Sequence, residues 1–275
     1  MSGVFLVKAA LGAIALLASL VPALAAGANM SPASGAVDLE LVLAVDISNS
    51  MDAGEAALQR AGYVEAIRHP EFIRAIKTGV KGRIALTYFE WAGAVRAKTA
   101  VPWQIIDSPE SAAAFADQLA SRDYDHDRGT SISSALTFGT SLFEGPAYDG
   151  VRRVIDVSGD GPNNIGSPVQ KARDIAISAG ITINGLPILV RPSRTFAHLD
   201  LYYAQCVTGG PGSFVLPIYE SSEFATAIRR KLILEVSGDT PPAQIIPAAV
   251  TEVDCLRGER DRRLFSDPYF PELDK

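Results

Sequence analysis

Residues 39–45, Leu-Glu-Leu-Val-Leu-Ala-Val, run almost without polar interruption and stop at Asp46. A strand with one face in water alternates apolar and polar residues, whereas a run that is apolar at both parities suits a parallel strand covered on both faces. Helices must then lie on either side of the sheet, which commits the chain to an α/β architecture.

The remaining pattern agrees. Apolar residues recur at helical spacing over 53–67 and stop at His69-Pro70, and a second short helix is expected over 71–77, ending at Gly79. Residues 84–89 and 95–101, separated by Trp91-Ala92-Gly93, read as a hairpin. Ser108-Pro109-Glu110 opens a helix that runs to residue 120, with serine as the cap and proline at the first helical position. Helices over 130–143, 167–178, 196–207 and 221–236 then alternate with strands over 151–157, 181–190 and 214–218. The fold class implied is α/β, a doubly wound (Rossmann-like), mostly parallel sheet with one antiparallel edge strand and helices on both faces. In such sheets the functional groups gather where loops leave the carboxyl ends of the strands.

The chain of 275 residues, 48% hydrophobic and 20% charged, has enough apolar material for one full domain with trimmings. Lys8 precedes an apolar run over 9–20, and small residues stand at the cleavage positions Ala23 and Ala25. Residues 1–25 therefore read as a signal peptide cleaved after Ala25, the run being short for a membrane span. No later apolar stretch reaches spanning length, so the mature chain is expected to be periplasmic or secreted, without a membrane span. The expected organisation is signal peptide 1–25, linker 26–37, domain 38–238 and C-terminal extension 239–275, this last segment lacking any usable periodicity. The formal charge of -6 comes without a Lys/Arg cluster that would track a phosphate backbone, so nucleic acid is not expected as a partner. Cys206 and Cys255 are expected to pair in an oxidising compartment and so tie the extension to the domain.

Chemistry concentrates in Asp46-Ile47-Ser48-Asn49-Ser50, directly after the first buried strand. Alternate positions of an extended segment face the same way, so the carboxylate and two hydroxyls can converge. This D-x-S-x-S string resembles that of the von Willebrand factor type A domain, whose metal-ion-dependent adhesion site is completed by a threonine and a second aspartate from two other loops. Arg128-Gly129-Thr130-Ser131 matches the threonine loop, without the common double glycine. Val154-Ile155-Asp156-Val157-Ser158-Gly159-Asp160-Gly161 matches the aspartate strand, with Gly159 where the family usually has threonine. The resemblance covers roughly residues 39–236 and implies a metal site made of Asp46, Ser48, Ser50, Thr130 and Asp160. Within the superfamily, Leu-Ala-Val-Asp-Ile-Ser-Asn-Ser-Met and Val-Ser-Gly-Asp-Gly-Pro-Asn-Asn resemble a DUF1194-like bacterial group of secreted single-domain proteins with no assigned activity.

Hydroxyls and carboxylates are hard oxygen donors, and a site with a few of them completed by water suits Mg2+ or Mn2+. Two carboxylates against a dication leave rough charge balance, so a protein partner is expected to supply an Asp or Glu carboxylate to the metal, as family members often bind. Each residue alone also has an ordinary structural role, as a helix cap or a turn.

Asp123, Asp125 and Asp127 alternate like calcium ligands, but Gly129 falls one place late and Ser134 stands where the closing glutamate belongs, so an EF-hand is excluded. Asp156 interrupts an apolar strand and needs a partner, for which Arg152 and Arg153 are the near candidates. Asn163 and Asn164 follow the second aspartate and suit either a turn or a ligand contact. His69, His126 and His198 are scattered without zinc spacing. The leading expectation is a non-enzymatic, metal-dependent protein-binding module. The alternative is a magnesium-dependent phosphohydrolase or phosphotransferase with Asp46 as nucleophile, against which Ser48 counts, because such enzymes ordinarily carry a second acid there.

Overall fold

The structure, a computed structural model, describes residues 35–48, 51, 53–122, 127–145, 148–191, 196–239 and 252–265. The expected signal peptide, Asn49, Ser50, most of the acidic loop and the end of the tail lie outside these residues.

The first strand, β1 (Gly35–Asp46), is followed by α1 (Ala53–Arg68) and α2 (Pro70–Lys77), then by β2 (Ile84–Trp91) and β3 (Val95–Ile106). Next come α3 (Pro109–Ala120), α4 (Ile132–Ser141), β4 (Tyr148–Gly159), α5 (Val169–Ser178) and β5 (Thr182–Pro187). A short α6 (Leu199–Tyr202) runs into a π-turn at Tyr203–Val207, and α7 (Phe224–Ser237) and α8 (Arg257–Phe265) complete the chain. β1 starts at Gly35, inside the segment read as linker, because Gly35, Ala36 and Val37 pair with Tyr148, Asp149 and Gly150 of β4.

The sheet order is β3-β2-β1-β4-β5, parallel throughout except for the antiparallel β2–β3 hairpin at one edge. The unbroken apolar run of β1 now has its reason. Leu39, Leu41, Leu43 and Val45 enter one core with residues of α1, α2, α3 and α7, whereas Val42 and Ala44 enter a second core with α4, α5 and α6. The cap of α3 falls where the sequence placed it: the Ser108 hydroxyl accepts from the Ser111 N–H, with Pro109 in the first turn.

Residues 214–218 do not form a regular strand. They lie beside β5 through two isolated parallel bridges, Gly185 to Val215 and Ile188 to Ile218. The N–H groups of Leu216 and Ile218 reach back to Gly185 and Pro187, while Pro217 between them has no donor to offer a further strand.

Asp156 is paired with neither candidate arginine. Its carboxylate is 2.9 Å from Lys231 Nζ of α7, which also lies 2.6 Å from Glu235 Oε1, and all three side chains are buried. Asn184 Nδ2 donates to Glu235 Oε2 at 2.7 Å and closes the network. Arg153 faces the opposite side of the strand, 3.8 Å from Glu40. Arg152 shares the face of Asp156 but stands four residues away, about 13 Å along an extended chain, and donates instead to the Val236 carbonyl.

Burial, with repulsion from Glu235, pushes the Asp156 carboxyl from its ordinary 3.8 up to about 6, against the pull of Lys231. A carboxyl whose folded pKa is raised holds its proton more tightly in the native state, so its contribution to stability falls as pH rises through that window. The stability of wild type relative to Asp156→Asn is expected to fall between about pH 4 and pH 6. Urea denaturation of both proteins across that range checks this; a difference that stays flat contradicts it.

Candidate metal centre

β1 and β4 are adjacent and parallel, with Val45 opposite Ser158, so their carboxyl ends deliver Asp46 and Asp160 side by side. From β1 the chain builds outward through β2 and β3, then returns to place β4 on the other flank. This reversal of strand order opens a crevice at the carboxyl edge, the usual ligand position in such sheets.

Asp46 is wholly buried. Its Oδ1 accepts from the Ser48 N–H at 2.7 Å, and its carbonyl accepts from Gln59 Nε2 at 2.9 Å. Oδ2 is buried and has no hydrogen-bond partner among the described residues. Burial raises the Asp46 carboxyl well above the ordinary carboxylate range and the charge of Asp160 adds to this, while the Ser48 N–H and hydroxyl and the Asp160 N–H favour the charged form.

Thr130 enters from a different loop and is also buried. A side chain on Gly161 would stand 3.6 Å from Thr130 Oγ1, so the threonine hydroxyl lies beside the Asp160-Gly161 turn. Ser48 bridges to Asp127 of the same loop. Gly129 adopts φ 85°, open to glycine at little cost, and an added Cβ there would fall 2.1 Å from Ile165. Asp46, Ser48, Thr130 and Asp160 are thus gathered at the ends of β1 and β4 and the start of α4; Ser50 lies outside the described residues.

Asn163 and Asn164, whose role the sequence left between turn and ligand contact, fasten the two loops together. Asn164 Oδ1 accepts from the Thr130 N–H at 2.9 Å, and the Asn164 N–H donates to the Thr130 carbonyl at 2.8 Å. Asn163 Oδ1 accepts from the Ser133 N–H at 2.9 Å at the start of α4, and its own N–H donates to the Tyr202 hydroxyl at 3.1 Å. Asn163 Nδ2 also donates to Glu259 Oε1 at 2.8 Å, bringing α8 against the rim. Cys206 and Cys255 form a disulfide, with Cα atoms 5.5 Å apart, that anchors the segment leading into α8.

α8 lies in the extension, where the sequence offers no usable periodicity. Its sequence, Arg-Gly-Glu-Arg-Asp-Arg-Arg-Leu-Phe, carries almost no apolar stripe from which a helix could be read. Gly258 lets it approach, because a Cβ there would lie 2.3 Å from the Asn163 carbonyl oxygen.

The donor set fits a divalent cation. An orphaned, buried carboxylate oxygen, a second carboxylate that repels it, and adjacent hydroxyls form a hard-oxygen constellation whose electrostatic conflict a dication relieves. Among the described residues no cluster of three His, Cys, Asp or Glu side chains is placed to hold a metal, so the hydroxyls are needed to make up the set.

Solved structures share the architecture. The pilus adhesin SpaC from Lactobacillus rhamnosus GG matches at 13% identity and TM-score 0.55, covering 74% of this chain and 31% of that one. Proximal thread matrix protein 1 from the mussel byssus, with its MIDAS motif occupied by zinc, matches at 14% identity and TM-score 0.53, covering 74% and 49%. A von Willebrand factor type A structure from Catenulispora acidiphila matches at 15% identity and TM-score 0.49, covering 73% and 43%. The chain spans under half the length of each of these structures. A search of curated proteins returns no match.

Strand order, the position of the D-x-S-x-S loop after the central strand and the shared architecture define a von Willebrand factor type A fold. Within that fold, the chain belongs to the family described as "Protein of unknown function (DUF1194)", whose model matches residues 36–240.

Proposed function

We propose that this chain is an exported, non-enzymatic module that binds a protein partner through a divalent cation, Mg2+ or Mn2+, held by Asp46, Ser48, Ser50, Thr130 and Asp160. The observation that carries the reading is Asp46 Oδ2, buried and without a hydrogen-bond partner among the described residues, beside a second carboxylate at the carboxyl edge of the sheet. Such a group is costly to bury unless something positive completes it. A carboxylate from the partner is the outside ligand that suits a hard dication. The zinc found in the MIDAS motif of the mussel thread protein supports a divalent ion at this position, and the pilus adhesin supports a role in adhesion.

The domain, read from the sequence as 38–238, begins with β1 at Gly35; a cleaved signal peptide at 1–25 precedes it and the extension at 239–275 follows. Periplasmic or secreted localisation rests on the leader sequence. No helix among the described residues is long and apolar enough to cross a membrane. A phosphotransferase using Asp46 as nucleophile finds no support in a carboxylate that is wholly buried and whose Oδ1 is held by the Ser48 N–H.

Affinity capture from the native secretome in Mg2+, eluted by chelator, tests the reading. A partner retained by wild type and absent with Asp46→Ala is expected. Equal capture of that partner by both proteins in the presence of chelator overturns it.

A further inference from the structure

Gly159 departs from the threonine usual before the second aspartate, and the structure shows what occupies the space. A Cβ built on Gly159 would stand 2.7 Å from Tyr203 Oη, 2.8 Å from Asp46 Oδ2 and 3.3 Å from Asp46 Cβ. A side chain at 159 and the Tyr203 hydroxyl therefore compete for one place against the Asp46 carboxylate.

Tyr203 begins the π-turn after α6 and is wholly buried. Its hydroxyl, like Asp46 Oδ2, has no hydrogen-bond partner among the described residues. Two buried polar atoms left unpaired at one spot are an unusual expense in a folded protein. One is a donor and the other an acceptor. A second glycine clears the path of the ring: a Cβ on Gly185 of β5 would fall 2.7 Å from Tyr203 Cδ1 and 3.0 Å from Thr208. Glycines on two adjacent strands thus admit a phenol that a larger residue at either position would expel.

We infer that Tyr203 is a positioning residue of the metal site, its hydroxyl standing in for the side chain missing at Gly159 and orienting the Asp46 carboxylate toward the cation. The inference rests on the reading of that site as a metal centre. Groups that orient a ligand without touching the metal commonly change affinity by about 10- to 100-fold when removed.

The test is Mn2+ titration, by calorimetry and by electron paramagnetic resonance, of full-length mature wild type, Tyr203→Phe, Gly159→Thr and Asp46→Asn. Tyr203→Phe is expected to weaken Mn2+ about 10-fold or more, with the urea midpoint of the metal-free protein held within error. Gly159→Thr should fail to bind or fold, because its side chain meets both the Tyr203 hydroxyl and the Asp46 carboxylate. A near-ultraviolet tyrosine difference signal on adding Mn2+ should appear in wild type and vanish in Tyr203→Phe. Wild-type affinity in Tyr203→Phe, with binding lost in Asp46→Asn, overturns this inference and leaves the metal site standing. Absence of Mn2+ binding by wild type overturns both.

Discussion

Replacing Asp46 by asparagine will remove divalent-cation binding while leaving the metal-free fold at least as stable as wild type. The asparagine oxygen still accepts from the Ser48 N–H, the contact that Oδ1 makes in wild type at 2.7 Å. What disappears is a buried negative charge that burial and Asp160 both disfavour. In the absence of cation that charge is a liability, and in its presence it is the anchor. At a cation concentration about 100 times the dissociation constant, linkage stabilises wild type by about 2.7 kcal/mol. For a domain of this size that is a rise in Tm of roughly 5–10 °C. Differential scanning calorimetry with and without Mn2+ should show the rise in wild type and none in Asp46→Asn. An equal rise in both contradicts the assignment of Asp46.

The second large effect is on stability alone. Lys231→Met removes the cation that faces Asp156 and Glu235, leaving two carboxylates buried 2.9 Å and 2.6 Å from where the ammonium stood. Breaking a buried ion pair from one side typically costs about 3–5 kcal/mol, because the remaining charge keeps its desolvation penalty and loses its partner. The full loss is moderated at low pH, where the raised Asp156 carboxyl takes up a proton. Urea denaturation at pH 7.5 should therefore show a much larger loss than at pH 5. Replacing the three charged residues of the network by apolar side chains of similar volume should cost far less than Lys231→Met alone, since no charge is then left unpaired. A Lys231→Met protein as stable as wild type at pH 7.5 would show that the network carries no such charge.

These two sites were legible in the sequence to different degrees, for a physical reason. The strand ending at Asp46 announces itself because burial on both faces removes the polar alternation that water would impose, and residues local to that strand then give the D-x-S-x-S loop its place. Asp156 is equally visible as a polar break in an apolar strand, but its partner is a lysine on α7 that packs across the sheet. Sequence proximity suggested Arg152 and Arg153, and the pleat and the length of the strand send both elsewhere. The hairpin, the capped α3 and the alternation of strands and helices followed from periodicity and turn chemistry. α8 did not, because its hold comes from the Cys206–Cys255 bridge and the Glu259–Asn163 contact rather than from an apolar face. Within the rim, Asn163 and Asn164 were noticed as polar residues after Asp160, but their work of fastening the Thr130 loop needs the fold to be seen. Gly159 stood out as a departure from a pattern, and only the packing of Tyr203 against it gives the departure a meaning.

In the proposed site, oxygen ligands from three loops converge on one cation. The most direct test is an anomalous difference map from crystals of the mature protein grown in Mn2+. One strong peak is expected at the carboxyl ends of β1 and β4, enclosed by Asp46, Ser48, Ser50, Thr130 and Asp160. A well-ordered rim with no peak at saturating Mn2+, or a peak bound by other residues, would contradict it.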